Sequence, residues 1–390
     1  MAVTVLESAR IVAAAADMAR APLPADDGYA PGLAMLCDGV NGCALATPEG
    51  RASIERQAIG HLANRFAIEA WLAEHPALVQ APVERPVFVL GMPRTGTTLM
   101  VNLLGQDPAA RTLRKWEANI PVPPAAPGML SDDPRCIRLN AVRRAEVASG
   151  KLQTNIHFEW YEEPTECVFV LAQDFRSTLW DAFLPMPGYS DFLLGGDMQG
   201  AYRWHRRVLQ HLQANNGGRW TLKAPGHALF ARDLLRVYPD ARIVWMHRDP
   251  ATVVASHASL AAGAHRRFAA QADVAYIADL YPRQLAAHVD RMLDVEAAFP
   301  DQVFHVRYED VEHRPVETVE RLHAEMGVAF TSDIARSVAA WVAAHPRGAR
   351  GAHDYSLAQY GIEPARVDRL FARYRERLAA IEPLSTGENA

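Results

Sequence analysis

Cysteine is scarce in this chain. Cys37, Cys43, Cys136 and Cys167 are the only four in 390 residues, and they show no zinc-finger spacing. So few cysteines in so long a chain exclude a disulfide scaffold. Long apolar runs are missing too, and no stretch approaches the ~20 residues that a membrane-spanning helix requires. The opening MAVTVLESARIVAAAADMARAPLP has acidic residues on both sides of its apolar run. It lacks the basic-then-apolar order of a secretory signal. A cytoplasmic protein with reduced thiols is therefore expected. There is no long basic run either, and the formal net charge is -5, so nucleic acid is not an expected partner.

With 49% hydrophobic and 22% charged residues, the composition is that of an ordinary globular protein able to bury a substantial core. Residues 1–80 read as a mostly helical extension, interrupted near APLPADDGYAPG and LATPEG. In SIERQAIGHLANRFAIEAWLAEHP, Ile54, Ile59, Leu62, Phe66 and Ala70 recur at helical spacing, with Ser53 as a candidate cap. PVFVL, the segment ending at Thr221–Leu222, ARIVWMH and DQVFHVRYEDV read as buried strands, each followed by a helical pattern. This alternation predicts an α/β fold with a mainly parallel central sheet and extensive helical insertions. We expect the α/β unit over 81–363, decorated by a helical insertion over about 127–216. A C-terminal helix and tail follow over 364–390. The amphipathic segments 53–75 and 364–381 are candidate interfaces of a homo-oligomer, although covering the chain's own core is their commoner role.

The first strand runs into GMPRTGTT and then a helix beginning near Thr97 or Thr98. Gly91 and Gly96 have the spacing of a phosphate-binding loop, but Thr97 stands where its lysine would be. Arg94 supplies positive charge inside the turn, and Thr95, Thr97 and Thr98 supply hydroxyls. A glycine-rich turn opening a helix aims backbone N–H groups at an anion. Arg248 follows ARIVWMH directly, with Ser256 eight residues later on the next helix. Two strand-end anion sites in order suggest a nucleotide with two separate phosphate groups.

The ordered segments VFVLGMPRTGTTL, RKWEANIPVPP, RWTLKAPGHALF, YPDARIVWMHRDPATVVASHASL and HPRGARGAHDYSLAQYGI resemble the nucleotide-activated sulfotransferases. The bacterial branch with a PRTGTT loop is the nearer likeness, which spans roughly 84–360. The resemblance implies a P-loop-like fold and Mg-independent sulfuryl transfer from 3'-phosphoadenosine 5'-phosphosulfate, leaving 3'-phosphoadenosine 5'-phosphate. It implies that Arg94, Thr95, Gly96, Thr97 and Thr98 cradle the 5'-phosphosulfate, with Arg94 where many relatives have lysine. It assigns the 3'-phosphate to Arg248 and Ser256, and to the late segment containing Arg347, Gly348 and Arg350. No metal site is expected.

Transfer also needs fixed donors for the charge growing on the leaving phosphate, and a base for the acceptor's proton. Arg94 and the strand-end Lys223 are candidates for the first role. For the base, the resemblance favours Glu117, just after the first helical unit; an ordinary salt-bridged glutamate is the plainer reading. His157 is its rival, because an imidazole titrates nearer the useful range, and His227 is third. Trp116, Phe158, Trp160, Tyr161, Trp180, Phe183, Tyr189 and Phe192 are divided between core and an apolar acceptor cleft. A small or lipid-like hydroxylated acceptor fits the lack of a basic track. The alternatives are a Mg-dependent phosphotransferase and a non-catalytic nucleotide-binding regulatory protein.

Overall fold

The computed structural model describes residues 5–152, 158–346 and 355–384. At its centre lie five strands: β1 (Val87–Gly91), β2 (Ala110–Thr112), β3 (Arg219–Lys223), β4 (Arg242–His247) and β5 (Val303–Arg307). Their order across the sheet is β2-β3-β1-β4-β5, with every pairing parallel. The expected α/β architecture with helical insertions is the one observed. Four strands coincide with the apolar runs of the sequence. β2, with the sequence Ala-Arg-Thr, was not expected as a strand, because it has no run of apolar residues.

Residues alternate between the two faces of the sheet. Phe88 and Leu90 join Leu222, Ile243 and Trp245 in the larger core. Val87 and Val89 join Val244, Met246 and Val306 in the smaller one, closed by helices Pro315–Glu325 and Ser332–Ala344. The long helix Pro48–Glu74 contributes Ile54, Leu62 and Phe66 to the larger core. It begins earlier than Ser53 suggested. Thr47 is its cap, accepting from the Gly50 N–H at 3.0 Å, and Pro48 occupies the first turn, where no donor is lost.

Between 127 and 216 the chain forms helices Pro134–Ala148, Pro187–Gly195 and Gln199–Leu212 with short turns among them. Near the C-terminus, two short helices, Pro364–Leu370 and Ala372–Ala379, meet at buried Phe371. Among the described residues no helix is long and apolar enough to cross a membrane. Because all strands are parallel and β1 lies between β3 and β4, the loops at their carboxyl ends converge on one edge. A reversal of strand order there opens the crevice in which such sheets hold ligands.

Candidate active site

At that edge β1 turns through Met92–Gly96 into helix Thr97–Leu104. The turn needs positive φ at Gly91 (145°), Arg94 (72°) and Gly96 (90°). A Cβ on Gly96 would meet Tyr308 Cδ2 at 2.8 Å, so glycine is required there for space as well as for conformation. Thr95 Oγ1 closes the turn by donating to the Met92 carbonyl at 2.8 Å. Arg94 is the one non-glycine residue held at positive φ in this loop. Such strain collects where surrounding structure fixes a functional geometry.

Three contacts join the loop to the end of β4. Arg94 Nε donates to Ser256 Oγ at 3.1 Å, and Arg248 Nη1 donates to the Arg94 carbonyl at 2.8 Å. The Arg248 guanidinium also lies 4.1 Å from the centroid of the Tyr308 ring, which follows β5. Ser256 is buried in helix Pro250–Phe268, which Asp249 caps through the Thr252 N–H at 2.8 Å. Among the described residues neither Arg94 nor Arg248 forms an ion pair. Burial lowers the Arg94 pKa, against the opposing influence of Tyr355, and the nearby Arg248 cation lowers it further. Two converging guanidinium groups without carboxylate partners make a site for anions.

On the other side of β1, Lys223 ends β3. Its Nζ donates to Thr98 Oγ1 at 2.7 Å and pairs with Glu166 at 3.2 Å and Glu159 at 3.5 Å. Glu159 also receives Lys115 Nζ at 3.1 Å and the Thr165 hydroxyl at 2.8 Å. Burial works against the Lys223 charge, but Glu166 and Glu159 outweigh it and the pKa is raised. For Glu159 burial pulls upward, yet Lys223 and Lys115 prevail and the pKa is lowered. Main-chain bonds bring these carboxylates in. Lys115 N–H donates to the Glu163 carbonyl, Thr165 N–H to that of Leu113 and Cys167 N–H to that of Lys223.

The profile of the sulfotransferase family matches residues 86–332, which contain the whole of this site. The chain belongs to the sulfotransferase family. Its structure is similar to that of sulfotransferase STF9 from Mycobacterium avium, at 33% identity and a TM-score of 0.91, covering 97% of this chain and 98% of that one. Sulfotransferase STF1 from Mycobacterium tuberculosis H37Rv is similar at 28% identity and a TM-score of 0.84, covering 95% of this chain and 100% of that one. No curated protein matches the chain. The family performs sulfotransferase-type transfer.

Of the residues singled out in the sequence, this sulfotransferase-family fold gathers Arg94, Thr95, Gly96, Thr97, Thr98, Lys223, Arg248 and Ser256 at one edge. Glu117 lies elsewhere in its contacts. Both of its oxygens meet the Arg111 guanidinium, Oε2 also accepts the Arg114 N–H at 3.1 Å, and its side chain is 0% exposed. This carboxylate caps helix Lys115–Asn119 in a closed ion pair. His227 is equally enclosed: Nδ1 pairs with the Tyr202 hydroxyl at 2.9 Å, and Phe88 packs edge-on against the ring. Burial holds its pKa well below the usual value. His157, Arg347, Gly348 and Arg350 lie outside the described residues. Trp116, Phe158, Trp180, Phe183 and Tyr189 are buried, whereas Trp160, Tyr161 and Phe192 keep some exposure.

Sequence reasoning missed Glu159 and Glu166. They stand in FEWYEEPTEC, where a cluster of glutamates reads as a solvated turn. The available signal was Lys223 itself, since a lysine ending a buried strand needs counter-charges nearby.

Proposed function

We propose that this protein transfers a sulfuryl group from 3'-phosphoadenosine 5'-phosphosulfate to a hydroxyl of a small or lipid-like acceptor, as a member of the bacterial branch with the PRTGTT loop. The observation that carries this reading is the unit formed by Arg94, Arg248 and Ser256, with both guanidinium groups lacking carboxylates among the described residues. A donor phosphorylated at both ends of its ribose supplies two anions to such a unit. The loop Arg94–Thr98 takes the 5'-phosphosulfate, and Arg248 and Ser256 take the 3'-phosphate. Arg347, Gly348 and Arg350 are assigned to the same phosphate on resemblance alone.

In the reaction the acceptor oxygen attacks sulfur while the bond from sulfur to the bridging phosphate oxygen breaks. The bonding electron pair leaves with 3'-phosphoadenosine 5'-phosphate. Arg94 and Lys223 meet the charge growing on that phosphate, as pre-placed donors do most effectively in a site closed to water. We assign the acceptor's proton to Glu166, whose side chain is 29% exposed beside Lys223. Glu117 is fully enclosed, and Glu159, at 13% exposure, is held by two lysines. His157 is the alternative, and mutagenesis separates the two. Half-exposed Trp160, next to Glu159, supports an apolar wall for the acceptor.

The test is incubation with sulfur-labelled donor and a hydroxyl-rich metabolite extract in the absence of Mg. Label should move to an organic acceptor with the wild-type protein and fail to move with Lys223→Met. Transfer of phosphate from ATP that requires Mg, with the sulfonucleotide left intact, would overturn the reading.

A further inference from the structure

Arg248 does not stand alone at the end of β4. Its main chain is held by Tyr374, from the short C-terminal helix Ala372–Ala379. The Arg248 N–H donates to the Tyr374 hydroxyl at 3.3 Å, and that hydroxyl lies 3.4 Å from the Arg248 carbonyl oxygen. Tyr374 is 1% exposed, a buried phenol whose oxygen faces the main-chain N–H and C=O of one residue at the sheet edge. Behind it runs a continuous polar chain. The hydroxyl pairs with His247 Nδ1 at 3.2 Å, and His247 Nε2 pairs with His305 Nδ1 at 3.0 Å. His305 Nε2 meets both Arg377 Nη2 and Glu296 Oε1 at 3.0 Å. Arg377, on the same helix as Tyr374, closes the chain on Glu296 at 2.7 Å.

A second tether runs from that helix to the next residue. Arg375 Nη1 reaches Asp249 Oδ1 at 3.4 Å, and Asp249 caps the helix that carries Ser256. The C-terminal helix thus grips the two consecutive residues from which both Arg248 and Ser256 are hung. Whichever way the protons run along the histidines, the Tyr374 oxygen accepts the Arg248 N–H. The strand-end peptide is fixed in place, and with it the origin of the guanidinium.

We propose that the C-terminal helix, chiefly through Tyr374, positions Arg248 for the 3'-phosphate of the donor. Tyr374 is a positioning residue, because it acts through the Arg248 peptide. The inference rests on the donor reading above and adds to it where the discrimination for the 3'-phosphate arises. A polar network of this kind, buried at Tyr374 and His247, helps to hold a single geometry.

The experiment measures the affinities of adenosine 3',5'-bisphosphate and 5'-AMP for the full chain and for Tyr374→Phe and Arg375→Gln. Their ratio isolates the 3'-phosphate, so a general loss of structure, which weakens both nucleotides alike, leaves it unchanged. Tyr374→Phe removes one oxygen and is expected to lower the ratio roughly three- to tenfold, the scale of one hydrogen bond. Arg375→Gln, at a side chain that is 39% exposed and tolerant of change, is expected to lower it about threefold. If the Phe variant does not fold, Arg375→Gln carries the test. A ratio equal to wild type in every folded variant overturns the proposal. A wild-type protein that binds the two nucleotides equally refutes the donor reading itself, a result distinct from the first.

Discussion

Arg94 Nε donates to Ser256 Oγ at 3.1 Å, joining two residues 162 positions apart. Arg94 belongs to the loop proposed for the 5'-phosphosulfate and Ser256 to the pair proposed for the 3'-phosphate. This bond ties the two half-sites together. Arg94→Ala is expected to lower kcat/KM by roughly 10²–10³-fold, as removal of a transition-state donor does. Ser256→Ala is expected to weaken adenosine 3',5'-bisphosphate about tenfold and change kcat at saturating donor far less. Steady-state kinetics and calorimetry on the two variants check this.

Glu166 and Glu117 should fail in different ways. Glu166→Gln should lower single-turnover transfer by about 10²–10⁴-fold while bisphosphate binding persists. Glu117→Gln breaks the buried pair with Arg111 and should cost about 3–5 kcal/mol of stability. Rapid-quench transfer and denaturant unfolding, run on both variants, distinguish a base from a structural carboxylate. The reverse pattern would return the base to Glu117, and full transfer in both would move it to His157.

Gly96→Ala should damage the loop directly. The added methyl would meet the Tyr308 ring at 2.8 Å, at a residue whose φ of 90° already disfavours a side chain. Tyr308 also carries the Arg248 guanidinium, so the displacement reaches both phosphate positions. At least tenfold weaker bisphosphate binding is expected, with a loss of stability of about 1 kcal/mol or more. Calorimetry paired with a thermal melt reads both.

Several histidines, His205, His211 and His288 among them, are buried and weaken the fold in acid. Burial pushes His211 and His288 down to about 4, and His205 down to about 3. Unfolded, each takes up a proton near pH 6.5, whereas the folded chain leaves it neutral. Their stabilising contribution is therefore complete above about 6.5 and is lost as the pH falls towards about 4. Each adds a slope of up to about 1.4 kcal/mol per pH unit in that window. Urea unfolding between pH 7.5 and 5 should show a steep decline, and His288→Gln should flatten it.

Much of this architecture could be read before the structure was known, for identifiable reasons. β1, β3 and β4 are buried on both faces and β5 in part, and such strands leave apolar runs in the sequence. β2 leaves none, because Arg111 turns its charge inward to Glu117 and its neighbours are Ala110 and Thr112. The loop Gly91–Thr98 and the pair Arg248–Ser256 were legible because their spacing is local to single strand-turn-helix units. The carboxylates on Lys223 were not, because Glu159 and Glu166 arrive through main-chain bonds between segments distant in sequence. Glu117 drew notice by its position after a helix, but its partner, six residues earlier, lay inside a strand that had gone unrecognised. Tyr374 showed only an amphipathic helix, and nothing local pointed to a contact with Arg248.

The most direct measurement is calorimetry of the purified chain with adenosine 3',5'-bisphosphate, ADP and ATP, each with and without Mg. The account predicts tight binding of the bisphosphate that is unaffected by Mg, and much weaker binding of ADP and ATP. Equal affinity for ADP, or an obligatory role for Mg, would contradict it.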